Sequence, residues 1–130
     1  MHFFNPVHLM RLVEVIRGLQ TADHTCERAF ELSRAMGKVP VEVNEAPGFV
    51  TTRVNALIGN EAFRMLQEGV ASAKDIDTAL KLGLSHPMGP LELVDLVGLD
   101  TRHSLLRFLQ QTLGDRFRPT PLQEKYVKAG

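Results

Sequence analysis

The chain has 130 residues, of which 44% are hydrophobic, and its 15 basic side chains balance 15 acidic ones. This length predicts one domain with enough apolar residues to bury a core. A formal net charge of zero offers no basic surface to nucleic acid or to an anionic membrane, so we expect neither as a partner.

The cysteine and histidine residues indicate the cellular compartment and whether a metal site is expected. Cys26 is the only cysteine, so it cannot form an internal disulfide, which is typical of a reducing compartment. The sequence shows no signal peptide and no apolar run long enough to span a membrane. His8, His24 and His103 lack the paired spacing of a metal site. We therefore expect a cytoplasmic protein that holds no metal.

The first part of the chain carries all of the strand signals. The pattern predicts the end of a strand and a turn, then a strand over about 11–17, a helix over about 22–36 and a strand over about 39–44. A strand–helix–strand order belongs to an α/β layer, and this one is too small to be a domain by itself. Its strands would leave unpaired ladder edges. We expect it to be the tail of a larger sheet domain.

From Glu45 onward the apolar spacing is helical, so the fold class is mainly α. A helix over about 49–68 is predicted, with Val50 and Val54 in its apolar stripe. Four shorter helices follow. The first starts at a capping box from Ser72 to Asp75 and ends at Gly83, and the second starts at Gly89–Pro90. The third has Asp100 as its N-cap and ends at Gly114. The fourth starts at a capping box from Thr120 to Gln123, with Pro121 at the first helical position.

One strand carries a carboxylate in an apolar row. The segment Arg11–Ile16 alternates, so Leu12, Glu14 and Ile16 share one face. A half-buried carboxylate needs a partner, and His2 lies just upstream, before the Asn5–Pro6 turn. A carboxylate on one imidazole nitrogen fixes the tautomer and leaves the other as a general base. The alternative is that His2 is a surface residue and Glu14 a solvated strand residue.

A base of this kind suits the oxidation of a secondary alcohol, which also needs a hydride acceptor. Protein side chains cannot accept hydride, whereas a nicotinamide can. A dinucleotide would require a Gly-x-Gly-x-x-Gly loop after a strand, and these 130 residues contain none. The chain therefore carries a candidate base without a cofactor cradle.

Several motifs together resemble the 3-hydroxyacyl-CoA dehydrogenase family, most of all its short-chain, 3-hydroxybutyryl-CoA type. They are His2-Phe3-Phe4-Asn5-Pro6, Met10-Arg11-Leu12-Val13-Glu14-Val15-Ile16, Pro47-Gly48-Phe49 with Arg53, Asp75-Ile76-Asp77 with Leu82-Gly83, and His86-Pro87-Met88-Gly89-Pro90 with Asp95 and Gly98-Leu99-Asp100. The resemblance implies that residues 1–45 end a Rossmann-type NAD-binding domain. Residues 46–130 would form an all-helical domain like the C-terminal domain of 6-phosphogluconate dehydrogenase.

The resemblance also implies roles for individual residues. His2 would be the catalytic base and Glu14 the carboxylate that orients it. Asn5 would lie near the nicotinamide and the substrate oxygen. Thr52, just before Arg53, stands where the family often has a substrate-contacting asparagine. The implied cofactor is NAD, the substrate an acyl-CoA thioester, and the assembly a homodimer formed through the helical domain.

By the same resemblance, the chain is expected to be the C-terminal part of such an enzyme and to be inactive alone. Two other interpretations stay open. One is a helical dimerisation module without chemistry of its own. The other is a related dehydrogenase of free 3-hydroxy acids or sugar acids on the same scaffold.

Overall fold

A computed structural model describes all of residues 1–130 and divides them into two compact units, Met1–Val50 and Thr51–Gly130. Six α-helices and one three-stranded sheet make the chain mainly α, which confirms the predicted fold class. None of the helices has both the length and the apolar character needed to cross a bilayer.

The first unit is built on a sheet of order β1-β2-β3. Strand β1 (His2–Phe3) runs antiparallel to β2 (Leu12–Arg17), and β3 (Val39–Asn44) runs parallel to β2 on its other side. Helix α1 (Asp23–Ala35) makes the crossover between the parallel strands, as parallel pairing requires. The predicted strands and helix are thus confirmed to within one residue.

The alternation of β2 decides what lies on each side of the sheet. Val13 and Val15 point to one face and form a buried cluster with Cys26 of α1, against which Phe30 packs. The intervening Glu14 points to the opposite face and is fully buried there.

The second unit consists of five helices and one 3-10 turn. Its elements are α2 (Thr51–Gln67), α3 (Ala73–Gly83), α4 (Pro90–Val97), α5 (Leu99–Leu113), the 3-10 turn Asp115–Phe117, and α6 (Pro121–Ala129). They bury two apolar clusters. The first contains Ala62, Phe63, Ile76, Leu91 and Val94, and the second contains Ala56, Leu106, Leu109 and Phe117. Val50 and Val54 were predicted to face a core, but both are more than half exposed.

The helix ends follow the sequence signals in all but one case. Ser72 and Thr120 cap α3 and α6 by accepting the backbone N–H three residues on. The prediction that Asp100 caps α5 is wrong: the helix starts at Leu99 and its N-cap is Gly98, at φ +100°. That left-handed conformation suits glycine, and Asp100 instead lies in the first turn, where the helix dipole favours a carboxylate.

Candidate active site

The antiparallel register of β1 and β2 places His2 directly opposite Glu14. Side chains of directly opposed residues share one face of the sheet and meet. Nδ1 of His2 lies 2.7 Å from Oε2 of Glu14. The structure therefore brings together the two residues that the alternation of β2 and the upstream histidine had suggested.

Burial makes this contact strong. The Glu14 side chain has no exposed surface, whereas the His2 side chain keeps 32% of its surface exposed. A carboxylate removed from water requires hydrogen-bond donors, and a bond to an ionised acceptor is stronger than a neutral one. The imidazole is thus anchored by a buried group while its outer part remains accessible.

The chemistry of the carboxylate fixes the tautomer of the ring. An ionised Glu14 can only accept a hydrogen bond, so Nδ1 of His2 carries the proton and donates it. In the neutral imidazole, Nε2 then has a free lone pair. Such a nitrogen can take a proton from a hydroxyl, and the imidazolium that results is stabilised by the carboxylate behind it.

Two aromatic rings flank the His2 ring. The centroid of Phe4 is 4.6 Å from that of His2, and the planes are inclined by 55°. The centroid of Phe49 is 5.5 Å away, with an inclination of 51°. Tilted contacts at these distances are favourable aromatic geometry.

The other two predicted site residues are less constrained. Asn5 is exposed in the turn after β1. Thr52 lies in the first turn of α2 and is half-buried. Their assignment as site residues stays a prediction.

Lys38 supports the turn that follows β1, a contact that no sequence pattern indicated. Its Nζ donates to the backbone carbonyl oxygens of Val7 and of Met10, the latter at 2.8 Å. The lysine lies about thirty residues downstream of these groups, just before β3. Only the folded register reveals such a contact.

A second charged group lies at the far end of β2. Arg17 donates to Asp23 at 2.6 Å and to Glu42 at 3.0 Å. These hydrogen bonds raise the pKa of the Arg17 guanidinium above its ordinary value. No group of three or more His, Cys, Asp or Glu side chains is arranged to hold a metal ion.

Comparison with known families accounts for both units. Residues 1–46 match the NAD-binding domain of 3-hydroxyacyl-CoA dehydrogenase, and residues 48–130 match the C-terminal domain of the same family. The chain thus joins part of a dinucleotide-binding domain to a helical domain, the composition of a two-domain dehydrogenase. It belongs to the 3-hydroxyacyl-CoA dehydrogenase family.

Individual relatives match over the whole chain. A probable 3-hydroxybutyryl-CoA dehydrogenase of Bacillus subtilis is 53% identical over 131 aligned positions, which cover all of this chain and 46% of that protein. The 3-hydroxybutyryl-CoA dehydrogenase of Clostridioides difficile is 49% identical and is covered to the same extent, 46%. The crystal structure of (S)-3-hydroxybutyryl-CoA dehydrogenase from Ralstonia eutropha superposes with a TM-score of 0.95 at 48% identity, over 100% of this chain and 46% of that one. The chain therefore spans about half the length of the relatives it matches.

Proposed function

We propose that these 130 residues form the C-terminal part of an NAD-dependent, short-chain 3-hydroxyacyl-CoA dehydrogenase, which interconverts (S)-3-hydroxyacyl-CoA and 3-oxoacyl-CoA. Family membership supports the reaction class. The single observation that supports the chemistry is the 2.7 Å contact between Nδ1 of His2 and the buried Oε2 of Glu14.

In this proposal His2 is the general base. Nε2 takes the hydroxyl proton of the 3-hydroxyacyl group during oxidation and returns it during reduction. Glu14 keeps the Nδ1 proton in place and stabilises the imidazolium. NAD, when bound, supplies the hydride acceptor. The side-chain amide of Asn5 and the hydroxyl of Thr52 are proposed donors toward the reacting oxygen and the substrate.

The residues present fit only the reacting end of the cofactor. His2, Asn5 and the neighbouring turn could face a nicotinamide, but no glycine-rich loop follows a strand in this sequence to cradle a pyrophosphate. We therefore expect no turnover and no tight NADH binding by the 130-residue chain alone. The single, buried Cys26 supports a cytoplasmic location for the protein.

The helical unit is also the proposed dimerisation surface. Several of its large apolar side chains remain well exposed: Leu82, Leu84, Leu96, Phe108 and Tyr126. Homodimer interfaces are apolar at their centre, so a second copy of the chain would bury part of this surface. A helical dimerisation module without catalysis remains the second candidate function, supported by the missing cradle.

A fusion protein tests the proposal. The segment that precedes the matching region in the Bacillus subtilis relative is joined to residue 1, and folding is checked by circular dichroism. We expect NADH oxidation with acetoacetyl-CoA and none with free acetoacetate. A folded fusion that is inactive with the thioester would contradict the dehydrogenase, and preference for the free acid would favour the alternative substrate class. Micromolar NADH affinity of the 130-residue chain would contradict the expectation that the chain alone does not bind NADH tightly.

A further inference from the structure

Phe49 has a backbone conformation that is unusual for its residue type. Its φ is +47°, and Phe49 and Ser85 are the only non-glycine residues of the chain with positive φ. Left-handed backbone brings the Cβ of a bulky residue too close to the neighbouring carbonyl oxygen, so it is unfavourable for phenylalanine. Strained backbone of this kind persists where the surroundings impose it, and it clusters at functional sites.

The chain before Phe49 is shaped to produce this conformation. Gly48 is also left-handed, at φ +75°, which glycine adopts without strain. The backbone N–H of Phe49 then donates to the carbonyl of Ala46 at 3.0 Å and closes a turn after β3. The result of the turn is the contact between the Phe49 and His2 rings at 5.5 Å.

The His2 ring would have orientational freedom without such contacts. Its hydrogen bond to Glu14 fixes Nδ1 and its covalent attachment fixes Cγ, but the ring can still tilt through small combined changes of χ1 and χ2. Phe4, which follows β1 directly, limits the tilt from one side, because residues two apart in an extended chain share a face. Phe49 supplies a second ring from a part of the chain that is distant in sequence.

We infer that Phe49 is a positioning residue for His2: its ring, presented by a left-handed turn, keeps the imidazole in one orientation and shields the Nδ1–Glu14 hydrogen bond from water. This inference rests on the proposed function for its catalytic consequence. The orientation of the ring, however, is a property of the first unit and can be measured without any reaction.

Glycine at position 49 removes the ring contact without adding backbone strain. Phe49→Gly removes the ring and also relieves the left-handed conformation, so we expect the fold to be retained. Phe49→Leu keeps bulk but loses the aromatic face, and Phe49→Tyr keeps that face. Phe30→Leu is the matched control, because Phe30 packs on the Val13 and Val15 side of the sheet, away from Glu14.

The first measurement is nitrogen-15 NMR of His2 in the 130-residue protein. We expect a protonated Nδ1 whose proton exchanges slowly with water in the original chain, in Phe49→Tyr and in Phe30→Leu. In Phe49→Gly and Phe49→Leu the exchange should be faster by about tenfold or more, as expected when a protected group opens to solvent. Unchanged exchange in a folded Phe49→Gly would overturn the inference.

The second measurement uses the active fusion protein. We expect Phe49→Gly to lower kcat by about ten- to a hundredfold with KM nearly unchanged, because misplacing a catalytic group by about 1 Å has effects of this size. A raised KM with unchanged kcat would show that Phe49 binds substrate and would overturn the positioning role. An unmutated fusion without turnover would contradict the proposed function, while the NMR result would still decide the orientation of the ring.

Discussion

Asp77 and Gly89 lie so close together that no side chain fits at position 89. A Cβ atom on Gly89 would lie 2.3 Å from the Asp77 carboxyl carbon, well inside van der Waals contact. The buried Asp77 carboxylate accepts the backbone N–H groups of Leu91 at 2.8 Å and Glu92 at 3.0 Å. A side chain of α3 thus caps the N-terminus of α4, where the helix dipole favours negative charge.

We predict that Gly89→Ala lowers the free energy of unfolding by about 2 kcal/mol, because the added methyl group displaces the Asp77 cap. Urea unfolding followed by circular dichroism measures the change. Gly83→Ala is the matched control: no atom lies within 4 Å of its added Cβ, and alanine is favoured over glycine in a helix. A midpoint unchanged in Gly89→Ala would show that the close contact is relieved without cost.

The start of α4 should also respond to pH. Hydrogen bonds from Lys81, at 2.8 Å, and from the backbone N–H of Gly89, at 3.1 Å, lower the pKa of the Glu92 carboxyl below its ordinary value. A lowered folded-state pKa means that the carboxylate contributes stability above its unfolded-state pKa and loses it as the pH falls through the folded value. Because Glu92 is well exposed, the effect is small.

We therefore predict that the chain is more stable than its Glu92→Gln variant at neutral pH and that the difference disappears in acid. Glutamine keeps the size of the side chain and one of the two acceptor oxygens, but it has no charge. Urea midpoints of both proteins across the range from neutral to acidic pH test this. A difference that persists in acid would assign the effect to packing rather than to charge.

Arg102 is a buried cation without a protein partner. Only 6% of its surface is exposed, its side chain makes no hydrogen bond or ion pair, and its buried Nε lacks a hydrogen-bond partner. Burial lowers the pKa of the guanidinium. Leaving a buried donor unpaired costs about 1–3 kcal/mol.

We expect Arg102→Met to leave the free energy of unfolding unchanged or to raise it by about 1 kcal/mol, since methionine fills the space without an unpaired donor. Thermal and urea unfolding measure the change. Arg107→Met is the control on the same helix, because Arg107 is exposed and reaches Glu124 only at 3.9 Å. A clear loss of stability specific to Arg102→Met would show that the guanidinium has a stabilising partner.

The exposed apolar surface of the helical unit makes the oligomeric state testable. We predict a solution mass of twice 14.5 kDa for the chain, and dissociation of the dimer by Leu96→Glu, because Leu96 is 71% exposed on α4 and a charge cannot be buried there without a partner. Gln111→Glu, an exposed change on α5, should leave the mass unaltered. Sedimentation velocity gives the result, and a folded monomer at high micromolar concentration would rule the dimer out.

The sequence was most informative where local chemistry decides structure. Alternation identified β2, the Ser72 and Thr120 signals identified helix starts, and one carboxylate in an apolar row led to Glu14. The reverse hydrogen bond of the second capping box is absent, because Oε1 of Gln123 has no partner. Gly98 was missed as a cap because Asp100, two residues further on, has the stronger capping propensity.

Apart from the His2–Glu14 pair, the contacts between distant segments were not predicted. Nothing in the sequence environment of Asp77 indicates that it caps α4. The Lys38 contacts with the turn after β1 and the Phe49 contact with His2 likewise depend on the folded register. Each joins residues that lie more than ten positions apart, so neither periodicity nor capping rules report them.

The central claim is that Glu14 holds His2 as a base of single tautomer, and one substitution tests it most directly. In the active fusion protein, Glu14→Gln keeps the size of the side chain and its ability to accept a hydrogen bond, but it removes the charge that stabilises the imidazolium. The measurement is kcat for NADH oxidation with acetoacetyl-CoA, compared with that of His2→Gln. General acid–base catalysis contributes about 10²–10⁴ in rate, so we predict a loss of about a hundredfold or more for either change, with the thioester KM little affected. Turnover of Glu14→Gln close to that of the unmutated fusion would contradict the account.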